Sequence, residues 1–265
     1  MPFRDWPTKI QLARHKTSYF ARCEITPMNI RIPPKTALTL LLAASAMLAV
    51  LHTISLSLDH WSSNAVTELL VEKFSLEREA NFPTYFSSML LAISSITFAF
   101  IATGVRHAED PTSWRHWMGL CLIFQFLSLD EATQIHEKLD TEIIWASIET
   151  SGLLAWPWVI IYMGLVSAFG AIYFRFWLRL PRRFQIAYAA CAAVYVGSAL
   201  GFEMLEAREY TSNGGPNLAF VVLTSIEEWS EMIAISFLVW TNLTYIALHF
   251  SDLRIAVGRG LEPRP

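Results

Sequence analysis

The sequence predicts an all-α polytopic membrane protein, a bundle of about six transmembrane helices with both termini on the cytoplasmic side. Three observations carry this. Of 265 residues, 54% are hydrophobic and only 16% are charged, too few charges for an ordinary soluble domain of this length. The charges bunch between long apolar runs, as hydrocarbon demands, because a charge at bilayer depth costs about 2.5–3.5 kcal/mol. The basic residues also fall almost entirely on one side of those runs.

The runs are taken in chain order. Met1 to Lys35 is polar and basic, with no short apolar core leading to a small-residue cleavage site, so a cleaved signal peptide is not expected. Apolar stretches able to cross about 30 Å follow at Thr36–Leu58, Tyr85–Val105, Trp114–Leu129, Leu153–Trp177, Phe184–Phe202 and Asn217–Phe250. Asn213-Gly214-Gly215-Pro216 is a turn dividing the last two. The last stretch exceeds the need, and Glu227, Glu228 and Glu231 make its early part unusually polar. The organisation is then a basic arm (1–35), a six-helix domain (36–250) and a tail (251–265), with no separate soluble domain.

Of the 20 Lys and Arg, all but Lys73, Arg78, Lys138 and Arg208 fall on one side of this arrangement. That side is cytoplasmic by the positive-inside rule, and the expected location is the cell (inner) membrane. Trp61, Trp145, Trp156 and Trp158 near one set of ends and Trp114, Trp117 and Trp177 near the other fit two aromatic belts.

Helical rise converts residue number into depth. His52 lies about 25 Å from Lys35, Asp130 and Glu131 about 22–24 Å from Arg115, and Glu203 about 30 Å from Arg183. Glu227, Glu228 and Glu231 lie about 27–33 Å from His249. Four helices therefore each bring an ionisable group to one level near the outer face, where Ser87 and Ser88 also fall. Asp130, Gln134 and Glu137 are spaced to share one helical face, with Glu131 pointing elsewhere. Glu203 with Glu206, and Glu228 with Glu231, are pairs one turn apart.

Carboxylates one turn apart can hold a divalent cation, especially when a histidine completes the shell. Like charges in low dielectric cannot all stay ionised and unpaired, so the cluster must share protons, bind a cation or open to water. The expected metal ligands are His52, Asp130, His136, Glu203, Glu228 and Glu231, with Glu131 as the catalytic base and zinc or iron as the divalent ion. Glu137, Asp140, Glu142, Glu206 and Glu209 are read as solvated residues at loops and helix ends. Ser87 and Ser88 are read as helix-packing residues.

The leading functional expectation is a metal-dependent membrane enzyme acting on a lipid-like substrate. The alternatives are a cation- or proton-coupled transporter, which the lack of Asp and Glu in the inner halves of the spans disfavours, and a non-catalytic subunit of a larger membrane complex. Expected partners are membrane lipids, with a membrane protein or a second copy of the chain as further candidates.

Several classes are excluded. There is no H-E-x-x-H, G-x-S-x-G or phosphate-binding glycine loop. The Glu-x-x-Glu pairs differ from the Glu-x-x-His pairs of carboxylate-bridged di-metal bundles. Cys23, Cys121 and Cys191 form no C-x-x-C pair, which argues against a disulfide framework or zinc ribbon. No folded basic domain exists to carry nucleic-acid binding.

Overall fold

The computed structural model describes residues 33–107, 113–135 and 151–250. The expected arm up to Ile32, the tail from Ser251, and the segment that holds His136, Glu137, Asp140 and Glu142 lie outside the described residues. Among those described, 87% are helical and none is in a strand. The helices are α1 (Pro34–Trp61), α2 (Ala65–Phe74), α3 (Phe82–His107), α4 (Ser113–Thr133), α5 (Trp158–Trp177), α6 (Arg182–Asn213) and α7 (Leu218–His249). A 3-10 turn, Gly152–Leu154, precedes α5.

Five of them, α1, α3, α5, α6 and α7, are long and apolar enough to cross a membrane. The third expected span, α4, is not among them. Its 21 residues reach about 31 Å, but Arg115, His116, Gln125, Asp130 and Glu131 dilute its hydropathy.

Helix boundaries follow local chemistry. Pro34 opens α1, where its missing N–H costs nothing. The fourth expected span begins at Trp158 instead of Leu153, because Pro157 occupies the cap and disfavours helical backbone just before it. The fifth runs eleven residues past its apolar stretch. Glu203-Met-Leu-Glu-Ala-Arg-Glu209 has high helix propensity, and nothing stops the helix until Gly214 takes a left-handed φ of 69°. Asn217 then caps α7, its side chain accepting from the Phe220 N–H. The connection after α1 contains α2, closed by a reciprocal Asn64–Thr67 capping box. The shared face expected for Asp130, Gln134 and Glu137 is interrupted: α4 stops at Thr133 and Gln134 has φ 55°.

α3 and α7 form the middle of the bundle. Half or more of their most apolar stretches is buried (56% and 50%), against 11–17% for α1, α5 and α6. α7 packs on α1, α3 and α6, while α4 lies along α3. That α3–α4 approach is close enough for Ser88 and Ser128 to donate to each other's backbone carbonyls, both at 2.8 Å, a small-residue contact suited to membrane helices. Toward the end of the bundle that holds the C-terminus of α7, Trp117 packs at 5.1 Å from both Phe176 and Tyr245, and Phe184 lies 4.8 Å from Tyr245. Tyr188 donates to Asn242 Oδ1 (2.9 Å), and Asn242 donates to Thr97 (2.9 Å), tying α6, α7 and α3 together.

Candidate metal centre

Two helical stripes build the site. On α7 the core-facing positions Tyr245, Asn242, Leu238 and Ile235 recur at steps of three and four. The same register continues through Glu231 and Glu227 to Thr224. On α6 the corresponding stripe runs Tyr188, Cys191, Tyr195, Ser198, Phe202 and Glu206. Both faces begin apolar or amide-lined and end in carboxylates, so packing α6 on α7 presses acidic residues together.

One oxygen from each of Glu203, Glu206 and Glu227 lies within 4.8 Å of the others. Glu206 is only 2% exposed and Glu227 7%. Thr224 donates to Glu206 Oε2 at 2.8 Å, but Glu206 Oε1 and Glu227 Oε2 have no hydrogen-bond partner. Neither carboxylate makes an ion pair among the described residues, where the one ion pair is the exposed Lys73–Glu72 contact. Buried acceptors are normally satisfied, and leaving one unpaired costs about 1–3 kcal/mol or more when charged.

The acidic layer extends past this triad. Burial aside, the strongest charge acting on both Glu228 and Glu231 is that of Glu131 from α4, and Glu79 and Glu203 also act on both. Glu131 and Glu231 further line a small cavity with Ser87 of α3 and Tyr195 of α6. Of the residues expected as ligands, Glu203 alone belongs to the triad; Glu228 and Glu231 lie within reach of the charges of Glu131, Glu79 and Glu203.

The other expected ligands are placed differently. Asp130, buried and one residue around the helix from Glu131, turns to α5, where it accepts from the Tyr162 hydroxyl at 2.7 Å. His52 is engaged at both ring nitrogens. Its Nδ1 accepts from the Leu76 N–H (3.1 Å), while Nε2 lies 2.9 Å from Ser225 Oγ. Since Ser225 already donates to the Val221 carbonyl at 2.6 Å, Nε2 carries the proton and donates. The ring is a neutral clamp joining α1, the α2–α3 connection and α7, with no lone pair left for a cation.

Glu206 and Glu227 are not among the ligands the sequence predicts, and Glu206, which it places at a solvated helix end, is buried. The signal that finds them is the three-four register shared with the core positions of α6 and α7. A carboxylate that continues a core stripe is enclosed when the helices pack.

An all-oxygen donor set suits a hard divalent cation. Opposite oxygens around Ca²⁺ stand about 4.6–5.2 Å apart, and around Mg²⁺ about 4 Å, so a spread of up to 4.8 Å closes on either with small side-chain motion. Fold and site together define a helical bundle with five membrane-span candidates and an acidic cluster enclosed between α6 and α7. The chain belongs to the family described as a domain of unknown function, DUF8692, whose profile matches residues 37–245. No curated protein and no solved structure matches it.

Proposed function

We propose that this protein is a multi-pass membrane protein that binds a divalent cation among Glu203, Glu206 and Glu227, and that the centre so formed is the core of a membrane enzyme acting on a lipid-like substrate. The reading rests on the two buried, mutually facing carboxylates with unpartnered oxygens. Two such groups in low dielectric repel unless a cation or proton lies between them. Glu228 and Glu231 follow Glu227 on the same helix, and the donor chemistry favours Mg²⁺, Mn²⁺, Ca²⁺ or ferrous iron over zinc. In this reading α4 also crosses the bilayer, giving six spans with both termini on the basic, cytoplasmic side and the acidic layer toward the outer face.

A bound cation supplies Lewis-acid polarisation of an oxygen and acidifies water. Glu131, on a separate helix and outside the triad, is the carboxylate left to accept a proton from that water. Support for a lipid-like substrate comes from an open apolar groove of about 390 Å3 between α1 and α7, lined by Ala46, Ala49, Val50, Thr53, Ile54 and Trp229. Trp229 directly follows Glu228 in the chain, so an acyl chain in the groove runs beside the acidic segment of α7.

The test is elemental analysis of detergent-purified protein after loading with Mn²⁺ and desalting. Wild type is expected to retain Mn²⁺, and the Glu206→Gln/Glu227→Gln double variant to retain at least one ion fewer per chain. A wild-type protein that retains no ion, or a double variant that retains as many as wild type, overturns the reading.

A further inference from the structure

We propose that the turn joining α5 to α6 is a binding site for the headgroup phosphate of an anionic phospholipid, gripped by Arg179 and Arg182 with Arg175 and Arg183 beside them. The site presupposes that these helices cross a bilayer, and it is independent of the cation centre, which lies roughly 30 Å farther along α6.

Charge on this helix pair is confined to one place. From Gly152 to Phe202 the only charged side chains are Arg175, Arg179, Arg182 and Arg183. All four are exposed, and none makes an ion pair among the described residues; Arg183 lies over the Phe184 ring, its Cζ 4.9 Å from the centroid. Arg179 and Arg182 are three residues apart, so their Cα atoms stand within about 11 Å of each other even in extended chain, and their long side chains can converge on one ligand. A topological signal needs positive charge alone, which lysine supplies equally well. Arginine adds a planar guanidinium fork that donates in pairs to phosphate oxygens.

The turn that carries these arginines is braced. Trp177 Nε1 donates to the Gln185 carbonyl at 2.9 Å, and Gln185 Nε2 donates to the carbonyls of Leu178 and Leu180 at 2.9 and 2.8 Å. These side-chain bonds tie the end of α5 to the first turn of α6, and Pro181 fixes its own φ at the cap. A connection that only had to stay in water would need no such bracing, since its backbone groups could bond to solvent. Here the bracing holds the arginine backbones in one arrangement before a ligand arrives, which lowers the ordering cost of binding.

The surface that adjoins the turn points to a lipid as the occupant. Ile172, Phe174, Leu178 and Ile186 are large, apolar and exposed on the helices beside the arginines. A ligand with an anionic head and apolar tails matches both parts of this surface, whereas free phosphate would use only the arginines. Trp177, within the same stretch of chain, suits the headgroup level of a bilayer.

The experiment titrates delipidated, detergent-purified full-length protein with dioleoylphosphatidylglycerol or dioleoylphosphatidylcholine and reads bound lipid by native mass spectrometry in about 0.15 M ammonium acetate. Wild type is expected to bind the first phosphatidylglycerol at least about tenfold more tightly than phosphatidylcholine, and Arg179→Gln/Arg182→Gln to bring the two within about twofold. Arg106→Gln/Arg115→Gln removes two charges from the same end of the bundle, where both arginines lie over Trp114, and is expected to keep the preference. Gln185→Ala retains every arginine but unties the turn, and is expected to lower the preference about threefold or more. Wild type without a preference, an Arg179→Gln/Arg182→Gln variant that keeps it, or an Arg106→Gln/Arg115→Gln variant that loses it to the same extent overturns the site. A preference untouched by Gln185→Ala overturns it as well, by reducing the effect to charge alone. Displacement of the lipid by equimolar inorganic phosphate overturns the lipid as occupant. None of these readouts involves a metal ion, so failure here leaves the cation centre standing.

Discussion

Glu206 of α6 and Glu227 of α7 face one another in the interior of the bundle, each with a carboxylate oxygen that accepts no hydrogen bond from another side chain or backbone group among the described residues. In the proposed cation-binding reading, stability and ion binding are opposed at this pair. Without an ion the two carboxylates must repel or share a proton, and a bound cation would bridge the two longest helices.

Glu227→Gln separates the two effects. Removing one of the facing charges relieves repulsion, so the ion-free variant is expected to melt at a higher temperature than ion-free wild type. Mn²⁺ at about 100 times its Kd should stabilise wild type by about 2.7 kcal/mol, and the variant by much less. Thermal melts with and without Mn²⁺ read both signs. A variant that melts below ion-free wild type, or gains as much from Mn²⁺, contradicts the prediction.

His52→Ala is expected to destabilise without changing ion content. The substitution leaves the Leu76 N–H without an acceptor in a buried position, which costs about 1–3 kcal/mol, and it detaches α1 from Ser225. Denaturation measurements should show the loss, while Mn²⁺ stoichiometry stays at the wild-type value. A fall in stoichiometry would return His52 to the ligand set.

Tyr162→Phe removes the hydroxyl that donates to buried Asp130. Hydrogen bonds to charged groups contribute about 1.5–3 kcal/mol, so the variant should unfold at lower temperature. Asp130→Asn keeps an oxygen for Tyr162 to donate to, and is expected to cost less. The reverse order of the two melting temperatures would rule out a structural role for the pair.

The contact between α4 and α5 can be tested by rescue. A Cβ added at Gly119 would clash with the Tyr173 hydroxyl oxygen, but clear the ring carbon that bears it at 3.5 Å. That hydroxyl donates to the His116 carbonyl at 3.1 Å. Gly119→Ala should cost about 1–3 kcal/mol by overpacking, and Gly119→Ala/Tyr173→Phe should recover most of it. Equal stability of the single and double variants would show that the hydroxyl is not the obstacle.

Much of the fold was legible because hydrocarbon imposes a one-dimensional rule. Apolar runs placed α1, α3 and α7 to within a few residues, and the Asn213-Gly-Gly-Pro turn separated α6 from α7 where expected. Hydropathy failed where helix and apolarity part company. It shortened α6 at Phe202, since glutamate, methionine and leucine continue a helix whether or not they are apolar as a group. The apolar run of α4 is helical as expected, although its polar residues keep it out of the five span candidates.

For the site, depth is legible along each segment, whereas azimuth is fixed by how the helices pack. Counting residues brought His52, Asp130, Glu131, Glu203, Glu228 and Glu231 to one level, because rise per residue is fixed by backbone hydrogen bonding. Which of them meet depends on the rotation each helix adopts when its core stripe packs. That rotation turned Asp130 toward Tyr162, occupied both nitrogens of His52, and enclosed Glu206 and Glu227. By itself the sequence determined long apolar helices able to cross a membrane and the spacing of acidic residues along them, since solvent and helical rise act on each segment alone. Only the tertiary structure decided which carboxylates share a space, because that depends on the facing surfaces of helices far apart in the chain.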